Sequence, residues 1–263
     1  MSMKKNITKS YYDKGIMLFS FDTPELEYSQ ITKKCIELLR IHCPNIPIVV
    51  VADELIEGAD WTILSEDPEP NIHNLNGPRQ WKNLARVDAY ELSPFDCTIV
   101  IDSDYLVYDN NLMKLFESDQ SVLAHRSWCN LNYAEVSNMP MGNSMLDMMW
   151  ATVLMFRKNT EVKQMFEHWR NVLKNYTYFA ELFGVNKRMV RNDYAFTIAM
   201  TKMQDQGSVD HTVIPWDIVT ANQNLVVKQI TNQHIVLEDQ HGEIIVDQSV
   251  HILNKESLIN AIG

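Results

Sequence analysis

The sequence predicts an α/β fold built on a mostly parallel, doubly wound sheet. Three features carry this. Residues 15–21 (GIMLFSF) and 46–51 (IPIVVV) are short apolar runs, the second apolar enough to be buried on both faces. Between them, residues 25–41 place Ile31, Cys35, Leu38 and Leu39 at helical spacing, giving the strand, helix, strand order that opens a parallel sheet. A third apolar, β-branched run, within 97–107 (CTIVIDSDYLV), ends abruptly in two aspartates one residue apart, Asp102 and Asp104.

The remaining elements follow in order. After the first strand, Asp22 or Thr23 is expected to cap the helix, with Pro24 at an early position. Residues 61–64 read as a short third strand and 65–78 as a loop rich in Pro, Asn, Asp and Glu. Residues 80–92 read as a helix closed by Ser93 and Pro94, on which Lys82 and Arg86 share a face, with Arg79 one turn earlier. That cationic face either binds donor phosphates or sugar hydroxyls, or is solvated and balanced by Asp88 and Glu91. A short helix to Phe116 and a strand at 122–124 precede a loop at 130–144 that is expected to face substrate. Residues 147–156 resume an apolar strand, and 161–173 form an amphipathic helix through Val162, Met165, Phe166, Trp169 and Leu173. A helix at 190–203 carries Asp193 near its start, and a strand is expected at 213–218. Residues 234–238 and 243–247 form a C-terminal β-hairpin, and 250–255 lead into a weak final helix.

At 263 residues the chain is long enough for a substantial core, and a single domain at 15–263 is expected behind a flexible lead at 1–14. With 46% hydrophobic residues and no apolar run long enough to span a bilayer, no membrane partner is expected. Residues 1–10 are polar and basic with no apolar stretch behind them, so no signal peptide is read. The four cysteines, Cys35, Cys43, Cys97 and Cys129, show no CxxC pair or zinc spacing and read as free thiols of a cytoplasmic protein. A net charge of −11 argues against a generally basic nucleic-acid binder.

The chemistry concentrates at Asp102 and Asp104. Strand residues two apart point the same way, and the carboxyl end of a strand is where open α/β sheets bind ligands. Two convergent carboxylates repel unless a cation lies between them, and a hard divalent metal fits that need. Asp-Ser-Asp after a strand is also ordinary turn chemistry. In context, the working expectation is a metal-dependent site for a diphosphate-bearing substrate.

Four segments then carry a family resemblance, in matching order. KNLARVDAYELSPFDCTIVIDSDYLV (82–107) resembles the central segment of nucleotide-sugar-dependent glycosyltransferases of the GT-A fold, particularly the glycogenin-like group, with its Lys/Arg helix, Ser-Pro turn, apolar strand and DxD motif. WATVLMFRKN (150–159) is similar to that group's "N-A/S-G-V-M-x-F" strand, RNDYAFTIAM (191–200) to its "Asp-Gln-x-x-x-N" helix, and VHILNKES (250–257) to its closing "His-Phe-x-G-x-x-K" motif. The resemblance spans roughly residues 15–255.

It implies a GT-A fold and a hexosyl- or pentosyltransferase using a nucleoside-diphosphate sugar, UDP-sugar favoured, with manganese or magnesium. Asp102 would contact the ribose and the metal, Asp104 would ligate the metal, and His251 would be its third protein ligand. Lys255 would lie against the diphosphate, Lys82 and Arg86 would hold donor sugar or phosphate, and Asp22 and Thr23 would sit near the nucleobase. The chain departs from the family pattern at Trp150, Ala151 and Thr152, at Ile252, Leu253 and Asn254, and at Tyr194, so the resemblance does not carry over the donor sugar and acceptor.

If configuration inverts, a carboxylate must take the acceptor proton, with Asp193 or Asp147 as candidates; if it is retained, the leaving phosphate itself can take it. The acceptor hydroxyl belongs to a glycan, a small molecule or a hydroxymethylated base in phage-type DNA. The last would use the basic patch Lys187, Arg188 and Arg191. Two rivals stand beside the transferase: a nucleotidyltransferase, disfavoured because the turn after the first strand has no glycine, and a catalytically inactive protein binding a glycan or partner.

Overall fold

The computed structural model describes residues 12–66, 71–73, 79–82, 84–131, 136–138, 140–144, 146–187, 190–205 and 211–263. In chain order its strands begin β1 (Tyr12–Ser20), β2 (Ile48–Ala52), β3 (Trp61–Leu64), β4 (Asn71–His73), β5 (Arg79–Trp81), β6 (Phe95–Ile101), β7 (Tyr105–Leu106) and β8 (Val122–His125). They continue with β9 (Ser127–Asn130), β10 (Val136–Asn138), β11 (Trp150–Arg157), β12 (His211–Val213), β13 (Ile218–Ala221), β14 (Val226–Ile230), β15 (Ile235–Asp239), β16 (Gly242–Val246) and β17 (Val250–Ile252). The α-helices are α1 (Tyr28–His42), α2 (Ala89–Leu92), α3 (Asn111–Leu115), α4 (Thr160–Lys174), α5 (Tyr176–Leu182), α6 (Asn192–Asp205) and α7 (Lys255–Ile262).

The architecture is mixed α/β. A seven-stranded sheet runs in the order β12-β8-β11-β6-β1-β2-β3. Its β6, β1, β2 and β3 are mutually parallel, and β11 is the antiparallel intruder between β6 and β8. Alternation along the strands feeds two cores. Met17, Val49, Val51, Val100, Leu154 and Phe156 face α4 and α6. Ile16, Leu18, Ile48, Val50, Ile99 and Ile101 face α1. Strands buried on both faces read as continuous apolar runs, which is why β1, β2 and β6 were visible in the sequence. Helix α4 forms because Val162, Met165, Phe166 and Trp169 repeat at helical spacing, and Asn159 caps it by accepting Val162 N at 2.7 Å.

A five-stranded sheet, β10-β9-β13-β17-β7, stands beside the first and is entered from it through residues 102–104. The C-terminal hairpin β15–β16 is present, and β14 joins it as a third, antiparallel strand.

Several expectations shift. The flexible lead cannot extend to residue 14, because β1 already pairs Tyr12 with Phe95 and Lys14 with Cys97; residues 1–11 lie outside the described residues. Helix α1 starts at Tyr28 rather than 25, because Thr23 and Leu26 exchange backbone hydrogen bonds in a turn first. The helix expected at 80–92 is only Ala89–Leu92, preceded by a 3-10 turn at Leu84–Asp88, because β5 pairs instead with β4. Lys82 and Arg86 therefore do not share a helix face. The strand expected at 213–218 is two strands in different sheets, β12 and β13. Helix α5 had no counterpart in the sequence reading. The loop expected at 130–144 contains β10, which pairs with β9, and lies partly outside the described residues. All four cysteines are buried free thiols.

Candidate functional site

Residues 102–104 carry the chain from one sheet to the other. Strand β6 ends at Ile101 and β7 begins at Tyr105. Tyr105 N donates to the Asp102 carbonyl at 3.0 Å, closing a tight turn, and Asp102 N donates to the Thr152 carbonyl at 2.9 Å. The ordinary turn chemistry of Asp-Ser-Asp is thus present, and it also fixes the backbone from which both carboxylates project. On the far side, Ile252 N donates to the Asp104 carbonyl at 2.9 Å, and His251 pairs with Tyr105 across β17 and β7. This register delivers a histidine from the end of the chain. One ligand atom from each of Asp102, Asp104 and His251 lies within 4.8 Å of the others.

Charge is balanced closely here. Asp104 is 5% exposed, with Lys255 Nζ 2.5 Å from Oδ2 and His251 Nε2 3.4 Å from Oδ1. Burial alone would raise its pKa, but Lys255 and His251 outweigh burial and hold the carboxyl well below the usual range. Lys255 is the first residue of α7, where Asn254 caps the helix by accepting Ser257 N at 3.2 Å. Arg86 is buried, forms an ion pair with Asp102 and donates through Nη1 to the Ala151 carbonyl at 3.0 Å. Its burial lowers the guanidinium pKa, and Asp193 and Asp104 oppose that.

The opposite wall comes from β11 and α6. Asp193 accepts from Ala151 N at 3.0 Å through Oδ1, and Arg191 Nη2 lies 3.5 Å from Oδ2. The Ala151 peptide is therefore held from both sides, its N–H by Asp193 and its carbonyl by Arg86. Buried Trp169 donates to Asn192 Oδ1 at 3.1 Å, which anchors the start of α6 to the core. Phe19, Phe21 and Tyr28 line the cleft from the β1 and α1 side, with Trp150 and Thr152 from the β11 side. The described walls enclose about 190 Å³.

The cleft gathers Lys82, Arg86, Asp102, Asp104, Asp193, His251 and Lys255 as lining residues. It does not gather all the expected ones. Asp22 and Thr23 sit beside it, not among the described lining residues. Both Asp22 carboxylate oxygens are engaged by Ser29, at 2.8 Å from N and 3.0 Å from Oγ, so this side chain holds the first turn of α1. Thr23 Oγ1 accepts from Leu26 N at 3.1 Å, and Lys82 Nζ donates to the Asp22 carbonyl at 2.5 Å. Asp147 is exposed, in an isolated bridge with Pro140, and is not among the described lining residues. The basic patch divides: Arg191 lines the cleft, while exposed Lys187 pairs with Glu181 at 2.6 Å. Arg188 lies outside the described residues.

Sequence reasoning missed Phe19, Phe21 and Tyr28 as cleft residues. Phe19 and Phe21, alternating at the end of an expected strand, were a usable signal.

Two carboxylates and an imidazole brought this close form a donor set that could hold a metal ion. With the lining cations, the site can hold a diphosphate against a metal at the carboxyl edge of a mostly parallel sheet.

No protein-family model matches the chain, and no curated protein matches it. Among solved structures it is similar to the glycosyltransferase GlyE of Streptococcus pneumoniae TIGR4, at 14% identity and TM-score 0.48, covering 76% of this chain and 45% of that one. It is similar to the galactosyltransferase LgtC in complex with donor and acceptor sugar analogues, at 17% identity and TM-score 0.44, covering 71% and 70%. It is also similar to a cytidylyltransferase from Leptospira borgpetersenii serovar Hardjo-bovis, at 11% identity and TM-score 0.35, covering 74% and 95%. The chain thus spans less than half the length of GlyE.

Proposed function

We propose that this chain is a GT-A-type glycosyltransferase that moves a sugar from a nucleoside-diphosphate sugar, UDP-sugar favoured, to an acceptor hydroxyl. The observation that carries this reading is the convergence of Asp102, Asp104 and His251 beside Lys255 and Arg86 at the carboxyl edge of β6. Mn2+ or Mg2+ held by those three ligands would offset the negative charge that grows on the diphosphate as the sugar bond breaks. Lys255 lies where it can turn from Asp104 to a diphosphate oxygen. Arg86 keeps Asp102 and the Ala151 peptide in place, and Lys82 closes the β1 side. Phe21 and Tyr28 offer aromatic faces to the nucleobase.

Neither proposed base is presented to the cleft as an uncommitted carboxylate. Asp193 Oδ1 is bound to Ala151 N, and Asp147 is outside the described lining. This favours the route in which the departing diphosphate oxygen takes the acceptor proton and configuration is retained. The turn after β1 (Asp22, Thr23, Pro24) has no glycine to wrap a triphosphate, which disfavours nucleotidyl transfer.

The test is thermal stability against a panel of nucleoside diphosphates and nucleotide sugars, each with Mn2+ and with chelator. A ligand that binds only the folded chain raises the melting temperature by mass action, with no acceptor needed. A metal-dependent rise with one nucleotide class, lost in Asp104→Ala, is expected. No rise with any nucleotide would overturn the donor-site assignment.

A further inference from the structure

Most buried polar atoms in native proteins find a partner, and a local group that does not calls for a physical reason. Among the described residues, His125 Nε2, Trp128 Nε1, Asn130 Oδ1 and Trp150 Nε1 are all shut off from solvent with no hydrogen-bond partner. These residues are neighbours. Trp150 of β11 pairs with His125 of β8 in register, and β9, carrying Trp128 and Asn130, continues directly from β8. Trp128 and Asn130, two apart on one strand, point to the same face. Trp128 and Trp150 pack against the same hydrophobic cluster.

The hydrogen-bonding character of each atom follows from its surroundings. His125 is fully buried, and its Nδ1 lies 3.3 Å from the Trp216 carbonyl. A carbonyl only accepts, so Nδ1 carries the proton and Nε2 presents a lone pair. Burial pushes the imidazole pKa down to about 3, which keeps the ring neutral. The two indole nitrogens can only donate, and the Asn130 oxygen can only accept. These four atoms are therefore two donors and two acceptors.

The location joins this set to the cleft. Trp150 is itself a lining residue beside Asp102 and Asp193. Across the second sheet, Asn130 pairs with Thr220, and Thr220 pairs with His251. Two strand spacings put Asn130 about 10 Å from the proposed metal ligand.

We propose that His125, Trp128, Asn130 and Trp150 form an acceptor subsite for a polyhydroxylated, carbohydrate ligand. Hydroxyl groups both donate and accept, so a sugar satisfies all four atoms at once. A phosphodiester backbone presents mainly acceptors, which would leave His125 Nε2 and Asn130 Oδ1 unpaired. The indole faces of Trp128 and Trp150 supply the flat apolar surface on which the C–H face of a sugar ring rests. Trp128, Asn130 and Trp150 are each part-exposed, so small side-chain rotations bring the closed polar atoms to the ligand. The subsite rests on the transferase reading for its role but not for its existence.

The experiment uses the full chain with UDP and Mg2+ and follows the indole N–H NMR signals of its six tryptophans. Trp128→Phe and Trp150→Phe assign two of them and keep the ring packing. Lactose, maltose, cellobiose and a duplex oligonucleotide are then added in separate titrations. At least one disaccharide is expected to shift both the Trp128 and Trp150 signals, and Trp128→Phe is expected to weaken its binding roughly three- to tenfold. If no disaccharide moves either signal, or only the oligonucleotide does, the proposal is overturned. A melting-temperature rise with UDP and Mg2+ alone reads the donor site separately, so loss of one claim is distinguishable from loss of the other.

Discussion

Lys255 Nζ lies 2.5 Å from Asp104 Oδ2, so the first residue of the last helix neutralises a carboxylate set at the turn between the two sheets. The pair is largely buried, with side-chain exposures of 17% and 6%. Removing one partner from such a pair leaves a desolvated charge. Lys255→Met is expected to cost about 3 kcal/mol in metal-free protein. Added Mn2+ should narrow that gap, because a bound cation takes over the neutralising role. Chemical denaturation with and without Mn2+ measures both effects. Equal loss in the two conditions would mean that Asp104 does not ligate the ion.

Arg86 reaches Asp102 and the Ala151 carbonyl with one planar fork. Lysine offers a single point of charge and cannot hold both acceptors in that geometry. Arg86→Lys should therefore weaken nucleotide binding in the presence of Mn2+ as well as stability. Titration calorimetry with UDP would check it, and wild-type affinity in Arg86→Lys would contradict the bridging role.

Asp193 separates a positioning role from a basic one. Asparagine keeps an oxygen able to accept from Ala151 N but cannot take a proton, whereas alanine loses both. Asp193→Asn is expected to retain most of the turnover that Asp193→Ala loses. A fall of roughly 10² to 10⁴ in kcat for the asparagine variant would instead identify Asp193 as a general base.

His125 gives a stability signature in pH. Its folded pKa, about 3, lies below the ordinary value of 6.5, so the unfolded chain binds the extra proton first. Stability is fully present above pH 6.5 and is lost as pH falls toward the folded value, by at most about 1.4 kcal/mol per pH unit. Unfolding curves between neutral and acid pH should show that slope reduced in His125→Gln.

Gly15 marks a packing limit in the strand that carries the first core. A Cβ there would lie 2.3–2.5 Å from three ring carbons of buried Phe95 on the neighbouring strand. Gly15→Ala should destabilise by about 1–3 kcal/mol, and Phe95→Leu in the same chain should recover part of the loss. Denaturant midpoints of the single and double variants test the contact.

The parts legible in the sequence were those whose signal is local. Strands β1, β2 and β6 announced themselves because both faces are buried, and α4 because one face is. The failures came where pairing overrode local pattern. Residues 80 and 81 read as the start of a helix but belong to β5, which pairs with β4, and the run after Val213 breaks because its two halves belong to different sheets. In the site, Asp102 and Asp104 were visible as a strand ending in paired acids. His251 was visible only through the family resemblance, since no local pattern reports that β17 lies against β7. Asp22 was also legible as a cap for the helix after β1, and its carboxylate does accept from Ser29 N and Oγ in the first turn of α1. The unpartnered set around His125 depends on the register between β8 and β11 and left no trace in the sequence.

The most direct measurement is Mn2+ binding followed by electron paramagnetic resonance, with and without UDP, in the wild-type chain and in Asp104→Ala. A single ion per wild-type chain, held more tightly with UDP and lost in the variant, is the predicted result. Mn2+ that binds equally well without Asp104, or that UDP does not tighten, would contradict a metal and diphosphate site built on Asp102, Asp104 and His251.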